Sequence, residues 1–379
     1  MRVLHLIHSE GIYGAELILA YLARETQRMG HNVVVGSIQD PGTGETPFEA
    51  FATSCGIEVL PIRIAPRPTP GVIRSLLRSI RSVRPDVLHS HGYKADILLG
   101  MLPRSVRGPM VTTLHGWTVT RPFFTALWLY ERLDRLSLRG IDRVVVVARH
   151  MSRLPAVRAL GSARLRVIEN GIPPLETRLA DNAARGVGAL PAELVEFVNR
   201  HPTLVAIGRL STEKGFDLLL DAFAAARPAG SPYQLLIVGE GPDRELLEER
   251  VARLQLSEIV RLAGYLPGAD RLLERAAGFV MSSLTEGLPL VLLEAMQWRV
   301  PVLATAVGAI PALLQDGRLG ALVPAGDRAG LETALRRMMA ADGDSGQAVA
   351  AAHEAVTGRY TSARMAQEYL EIYREARKA

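Results

Sequence analysis

Only one of the 379 residues is cysteine, Cys55. The chain can therefore form no internal disulfide and no cysteine-cluster zinc or iron–sulfur site, and such sparing use fits a reducing cytoplasm. No run of 18 apolar residues occurs. The four valines at 144–147 are cut off by Arg143 and Arg149, and no helix is expected to cross a bilayer. The opening residues MRVLHLI read at once as a strand, without a basic leader or an apolar signal core. Gly (34) and Pro (23) show neither a collagen period nor a low-complexity bias. No spaced set of metal ligands appears.

What is present is enough for two cores: 48% of residues are hydrophobic and 22% charged, close to the globular average. Charge is unevenly spread. Residues 1–175 hold 22 basic and 13 acidic side chains, a balance of +9, against −4 for the rest. Such asymmetry points to different partners for the two halves.

Apolar, β-branched runs alternate with helical patterns throughout. Strands are expected at 3–7, 33–37, 86–90, 110–114, 143–147 and 164–168. In the second half they are expected at 203–207, 234–238, 259–263, 278–282, 301–305 and 321–325. Helices are expected at 15–30, 71–83, 216–226 and 244–254. Short unalternated strands separated by helices imply parallel sheets covered on both faces. The fold class is therefore α/β, with two Rossmann-like doubly wound domains facing a cleft. The stretch 175–194 lacks a strand signal and reads as the linker. Ligands of such sheets sit beyond the carboxyl ends of the strands.

After the strand at 203–207 comes GRLSTEKG. A lysine at a helix start opposes the macrodipole, which makes sense where an anion binds. Arg209 and Lys214 could clamp a phosphate; alternatively Lys214 pairs with Glu213 or faces water. After the strand at 278–282 comes SLTEGLPLVLLEAM, with Pro289 suited to a first helical turn. Glu286 precedes that helix and Gly287 permits close approach of a ligand. Glu294 follows a little over two turns later at a similar azimuth, so both carboxylates could address one elongated ligand bearing vicinal hydroxyls. Glu294 also lies within an apolar run, where a charge is rarely left unpaired.

Weaker signals are the lone Gly-x-Gly at Gly239 and the GYLP turn containing Tyr265 and Leu266. In the first half GIYGAE places Gly11, Tyr13 and Gly14 between a strand and a helix. His115 ends the strand at 110–114, and His5, His8, His89 and His91 could line the same edge. Asp342 and Asp344 form an Asp-x-Asp that follows no strand and is not expected to hold a metal.

Taken together, GRLSTEKG, LLIVGEGPDRELLE, EGLPLVLLE and VPVLATAVGAIPALLQDGRLGALVPAGD resemble the C-terminal domain of retaining family-four glycosyltransferases of the GT-B fold. GIYGAE, HSHGYKAD, TLHGW and VIENGI extend the resemblance over nearly the whole chain. It implies an acceptor domain at 1–180, a nucleotide-sugar domain at 181–360, and a last helix at 361–379 crossing back. It also implies that Arg209 and Lys214 hold the diphosphate, that Glu294 binds the ribose, and that Glu286 lies beside the transferred sugar. Gly287, Leu288, Pro289 and Leu290 would line the donor, with Gly239, Tyr265 and Leu266 nearby. His115 would contact the sugar, and the loop of Gly11, Tyr13 and Gly14 would meet the acceptor. Tyr13 stands where the family commonly has glycine. The expected activity is metal-independent retaining transfer from a UDP- or GDP-sugar to a hydroxyl of a lipid-linked saccharide or envelope glycan. An epimerase of the same architecture or a small soluble acceptor is the alternative. No cofactor and no nucleic acid is expected. The basic half, through Arg74, Arg78 and Arg81 on one helix face and through Phe123, Phe124 and Trp128 among further arginines, could dock on an anionic membrane from the cytoplasmic side.

Overall fold

The computed structural model describes all residues except 10, 66, 68, 117–125, 185–186, 229 and 341–344, and the side chains of 126–131 and 345. Phe123, Phe124, Trp128, Asp342 and Asp344 thus lie outside what is described. The rest forms two compact units, residues 1–173 with 360–379, and residues 174–359. The change falls between Pro173 and Pro174 rather than at 180. The helix Leu175–Ala184 in the stretch read as linker belongs to the second unit, to which Arg178 bonds it.

The first unit carries β1 (Arg2–Ile7), β2 (Asn32–Gln39), β3 (Glu58–Arg63), β4 (Val87–His91), β5 (Met110–Leu114), β6 (Arg143–Val146) and β7 (Leu165–Val167). All pair in parallel, in the order β3-β2-β1-β4-β5-β6-β7. The order reverses between β1 and β4. Val3–Ile7 are buried without alternation, as a strand covered on both faces requires. The helix Gly14–Arg28 turns Ile18, Leu19, Leu22 and Ala23 inward. Thr69 caps the helix Pro70–Val83 by accepting from the Val72 N–H, and Pro70 opens it. That helix buries Val72, Leu76, Leu77, Ile80 and Val83, while Arg74, Arg78 and Arg81 face water. Its apolar face therefore belongs to the core, and only its cations are free to meet a surface.

A carboxyl lies deep in this unit. Asp96, on the helix Tyr93–Gly100, is fully buried and accepts from Ser90 Oγ and from Thr112 Oγ1 at 2.9 Å. Burial, aided by the charge of Asp134, pushes it up to about 8, against the pull of the two hydroxyls.

The last helix, Ser362–Lys378, packs in the same unit. It buries Met365, Tyr369 and Tyr373, and its Glu375 pairs with Arg143 and Arg166. The outgoing and returning chain segments are stitched side by side: Ile172 donates to the Tyr360 carbonyl and Ser362 to the Ile172 carbonyl.

The second unit carries β8 (Thr203–Ile207), β9 (Gln234–Val238), β10 (Val260–Leu262), β11 (Gly278–Met281), β12 (Val302–Thr305) and β13 (Ala321–Val323). They are parallel in the order β10-β9-β8-β11-β12-β13, reversing between β8 and β11. Its core joins Leu204, Ala206, Leu235, Ile237, Val280 and Leu303 to Phe223 and Leu335 from flanking helices.

Candidate active site

The reversal between β8 and β11 is where a doubly wound sheet opens a crevice beyond its carboxyl edge. The loops leaving these two strands are locked together there. After β8 the chain passes Gly208 and Arg209, makes a single 3-10 turn over Thr212–Lys214, and enters the helix Phe216–Ala226. Gly215 joins turn to helix at φ +60°, and a Cβ there would overlap the Ser282 carbonyl oxygen, so only glycine fits. Leu284 N–H donates to the Glu213 carbonyl, and Ser282 Oγ to the Lys214 carbonyl.

This stitching brings Lys214 Nζ to 2.6 Å from Glu286 Oε1, with Ser283 Oγ donating to the same oxygen at 2.7 Å. Lys214 thus pairs with neither Glu213 nor water alone. Arg209 is exposed and its guanidinium makes no ion pair among the described residues. Burial works against ionisation of Glu213, yet a bond from Ser211, its own N–H and the charges of Lys214 and Arg209 hold it below the ordinary carboxylate value. Glu286 and Gly287 are braced from behind, where Ala309 N–H donates to the Gly287 carbonyl at 3.0 Å.

Pro289 sits at the cap of the helix Leu290–Gln297, one residue before its first turn. Leu288 and Leu290 are buried supports. Because Glu286 lies outside the helix, the shared azimuth expected of the two glutamates does not arise. Glu294 is bonded elsewhere: Arg178 Nη1 lies 3.1 Å from its Oε1 and 2.7 Å from Asp270 Oδ2, while Arg178 Nε donates to Gln297 Oε1 at 3.0 Å. Burial pushes Glu294 up to about 7, with Arg178 lowering it and Asp270 raising it. Sequence reasoning foresaw that Glu294 needs a partner but not Arg178 or Asp270.

Gly239 follows β9 at φ +149°, and a Cβ there would overlap the Gly208 carbonyl oxygen. Leu210 N–H donates to the Glu240 carbonyl, and Gly239 N–H to that of Gly264. The loops after β8, β9 and β10 are thereby tied into one rim, on which Tyr265 is exposed and Leu266 half-buried.

In the first unit Tyr13 is exposed and caps the helix at Gly14, its N–H donating to Glu16 Oε2 at 2.9 Å. A Cβ on Gly11 would come within 2.8 Å of the Tyr13 ring, whereas one on Gly14 would meet nothing within 4 Å. Gly11 therefore makes room for Tyr13, and Gly14 leaves open space.

The histidines do gather at the carboxyl edge. His5 Nδ1 lies 2.9 Å from His91 Nε2, and His91 Nδ1 lies 3.0 Å from His115 Nε2. His8 donates to the Ile38 carbonyl at 2.7 Å. His5, His89 and His91 each offer a nitrogen within 4.8 Å of the others. Bonds to one another, to His115 and to hydroxyls occupy every one of these nitrogens but His5 Nε2, so the trio is a hydrogen-bonded cluster rather than a ready metal centre. Among the described residues no helix is long and apolar enough to cross a membrane.

Two parallel, doubly wound sheets of this kind are those of the GT-B glycosyltransferases. Residues 201–341 match the family model of glycosyl transferases group 1, and residues 13–171 match that of the glycosyl transferase 4-like domain. The chain is 30% identical over 292 residues to the phosphatidyl-myo-inositol mannosyltransferase of Mycobacterium leprae, covering 76% of this chain and 73% of that one. It is 30% identical over 327 residues to the alpha-maltose-1-phosphate synthase of Mycolicibacterium smegmatis, covering 76% and 79%. Among solved structures, Anabaena HepE in complex with UDP-glucose superposes with a TM-score of 0.80 at 20% identity, covering 98% and 99% of the two chains. The chain belongs to the group 1 glycosyltransferases.

Proposed function

We propose that this enzyme transfers a hexosyl or N-acetylhexosaminyl group, with retention at the anomeric carbon, from a UDP- or GDP-sugar to a hydroxyl of a lipid-linked saccharide or envelope glycan. The observation that carries the reading is the Lys214–Glu286 pair, with Arg209 on the same loop, at the strand-order reversal. Lys214 and Arg209 meet the diphosphate and stabilise the negative charge that grows on it as the anomeric C–O bond breaks; such preorganised charge usually contributes most to catalysis of this kind. These two cations take the part a metal ion would otherwise play. Glu286, released from Lys214 by the competing phosphate, accepts from sugar hydroxyls. Glu294 keeps Oε1 on Arg178 and turns Oε2 to the ribose hydroxyls. His115 contacts the sugar, and Gly11, Tyr13 and Gly14 face the acceptor. The acceptor hydroxyl attacks the anomeric carbon on the face the diphosphate leaves, and its proton passes to the departing phosphate oxygen.

Two similar proteins support the donor and acceptor classes. The HepE structures hold UDP and UDP-glucose, and the mycobacterial relative is a phosphatidyl-myo-inositol mannosyltransferase. The exposed Arg74, Arg78 and Arg81 supply a basic face for an anionic membrane on the cytoplasmic side. A thermal-shift screen of UDP- and GDP-sugars, followed by transfer assays with the sugar that stabilises most, tests the reading. Absence of stabilisation by any nucleotide sugar would overturn it.

A further inference from the structure

His5 on β1, His91 on β4 and His115 just past β5 join head to tail across three adjacent strands. Their rings also lie nearly parallel, His5 at 24° to His91 and His91 at 26° to His115. His89 stays outside this chain, although its ring lies 4.1 Å from that of His91, tilted by 38°. Its Nδ1 meets the Tyr373 hydroxyl at 2.7 Å and its Nε2 meets Thr113 Oγ1 at 2.8 Å.

A neutral imidazole has one N–H and one bare nitrogen, and each contact between two ring nitrogens holds one proton. Burial pushes His5 down to about 3 and His115 down to about 4, and pushes His91 well below its ordinary value, so all three rings are neutral near pH 7. If His5 donates from Nδ1, His91 accepts at Nε2 and carries its proton on Nδ1. His115 then accepts at Nε2 and carries its own on Nδ1. If His115 donates instead, the whole chain reverses and every ring is Nε2–H. No mixed state keeps both contacts.

The His5 end decides between them. Its Nε2 is buried and has no hydrogen-bond partner among the described residues. In the reversed state that atom is a buried N–H without an acceptor, the rarer kind of orphan in folded proteins. In the forward state it is a bare ring nitrogen, and the remaining N–H stands on Nδ1 of the half-buried His115, where it has no protein partner among the described residues.

We propose that His5 and His91 are positioning residues that lock His115 as its Nδ1–H tautomer, so that His115 offers an N–H donor to an oxygen of the bound sugar or phosphate. This rests on the assignment of His115 to the sugar under the proposed function. A lone histidine at this edge could be donor or acceptor; the chain behind it makes it a donor before substrate arrives.

Long-range proton–nitrogen NMR of the full chain, labelled with 15N-histidine and free of substrate, tests the lock. His5, His91 and His115 should each show a protonated Nδ1 and a bare Nε2. Finding His91 or His115 as Nε2–H would overturn it. His5→Phe keeps an aromatic ring but removes the first donor. The His115 signal should then shift toward Nε2–H, with kcat falling on the order of 10²-fold and donor KM changing by less than about twofold. His5→Asn, whose amide can stand near the lost Nδ1, should restore both. An unchanged His115 tautomer in His5→Phe would defeat the proposal, and if that variant fails to fold the wild-type spectrum decides alone. If the tautomer shifts as expected while kcat does not, the lock stands and the assignment of His115 to the sugar falls.

Discussion

Lys214 Nζ stands 2.6 Å from Glu286 Oε1, and the two residues leave the two strands between which the second sheet reverses its order. Cation and carboxylate therefore hold each other at the reversal point, where sheets of this kind take their ligands.

Arg209→Ala should lower kcat/KM for the donor by about 10²–10³-fold, the cost of one preorganised donor to a growing charge. Because Arg209 is exposed and makes no ion pair among the described residues, acting only through its charge on Glu213, its removal should change the melting temperature little. Lys214→Ala should match it in activity but also release Glu286. Near-wild-type turnover of either variant at low donor concentration would remove the clamp.

Arg178→Ala should destabilise the second unit by about 3–5 kcal/mol, because it strands the buried carboxylates Asp270 and Glu294 beside each other. Glu294→Gln keeps an acceptor for Arg178 and should cost far less stability. It should weaken nucleotide binding, whereas Glu286→Gln should reduce turnover more than nucleotide affinity. Calorimetry and nucleotide titration separate the three; equal effects of both glutamate variants on nucleotide affinity would contradict the assigned roles.

Asp96 gives a pH dependence with a defined sign. Its folded pKa, about 8, lies above the ordinary 3.8, so the folded protein holds the proton more tightly than the unfolded one. The penalty of ionising this carboxyl is absent below pH 4, grows between 4 and 8, and is complete above 8. Asp96→Asn should therefore gain melting temperature relative to wild type as pH rises from 5 to 9. A constant difference across that range would show that Asp96 is already ionised at pH 5.

Activity should survive EDTA, since Arg209 and Lys214 supply the positive charge. Loss in chelator with rescue by magnesium or manganese would refute this. The product should keep the donor's anomeric configuration, which NMR of the product reads directly.

Replacing Arg74, Arg78 and Arg81 with glutamate should abolish sedimentation with anionic liposomes at low salt while leaving the fold intact, because all three side chains are exposed. Each cation near such a surface contributes about 1 kcal/mol. Wild-type binding that ignores salt would point to apolar contacts instead, which Leu77 and Ile80, buried in the core, cannot make.

Most of this architecture was legible because parallel strands covered on both faces write themselves as unbroken apolar runs. The strand over Glu58–Arg63 escaped that reading for a physical reason: it is an edge strand, half-buried, with Pro61 and charges at both ends. Arg209, Lys214 and Glu286 were readable from their places after strands. Arg178 was not, since it lies in a stretch with no strand signal and its partners stand 92, 116 and 119 residues away. The histidines could be assigned to one edge, but their bonds depend on strand register, which sets His5 level with His89 and Ile7 level with His91.

The second unit interrupts the first, since residues 174–359 lie between two pieces of a single folded body. On the ribosome the order of completion is then inverted. Residues 174–359 have all been synthesised before Tyr360 is added. His89 and Thr113, made long before, wait for the hydroxyls of Tyr373 and Tyr369 until the final turns of the last helix emerge. A stop codon at or before Tyr373 in that helix would thus injure the unit that was begun first.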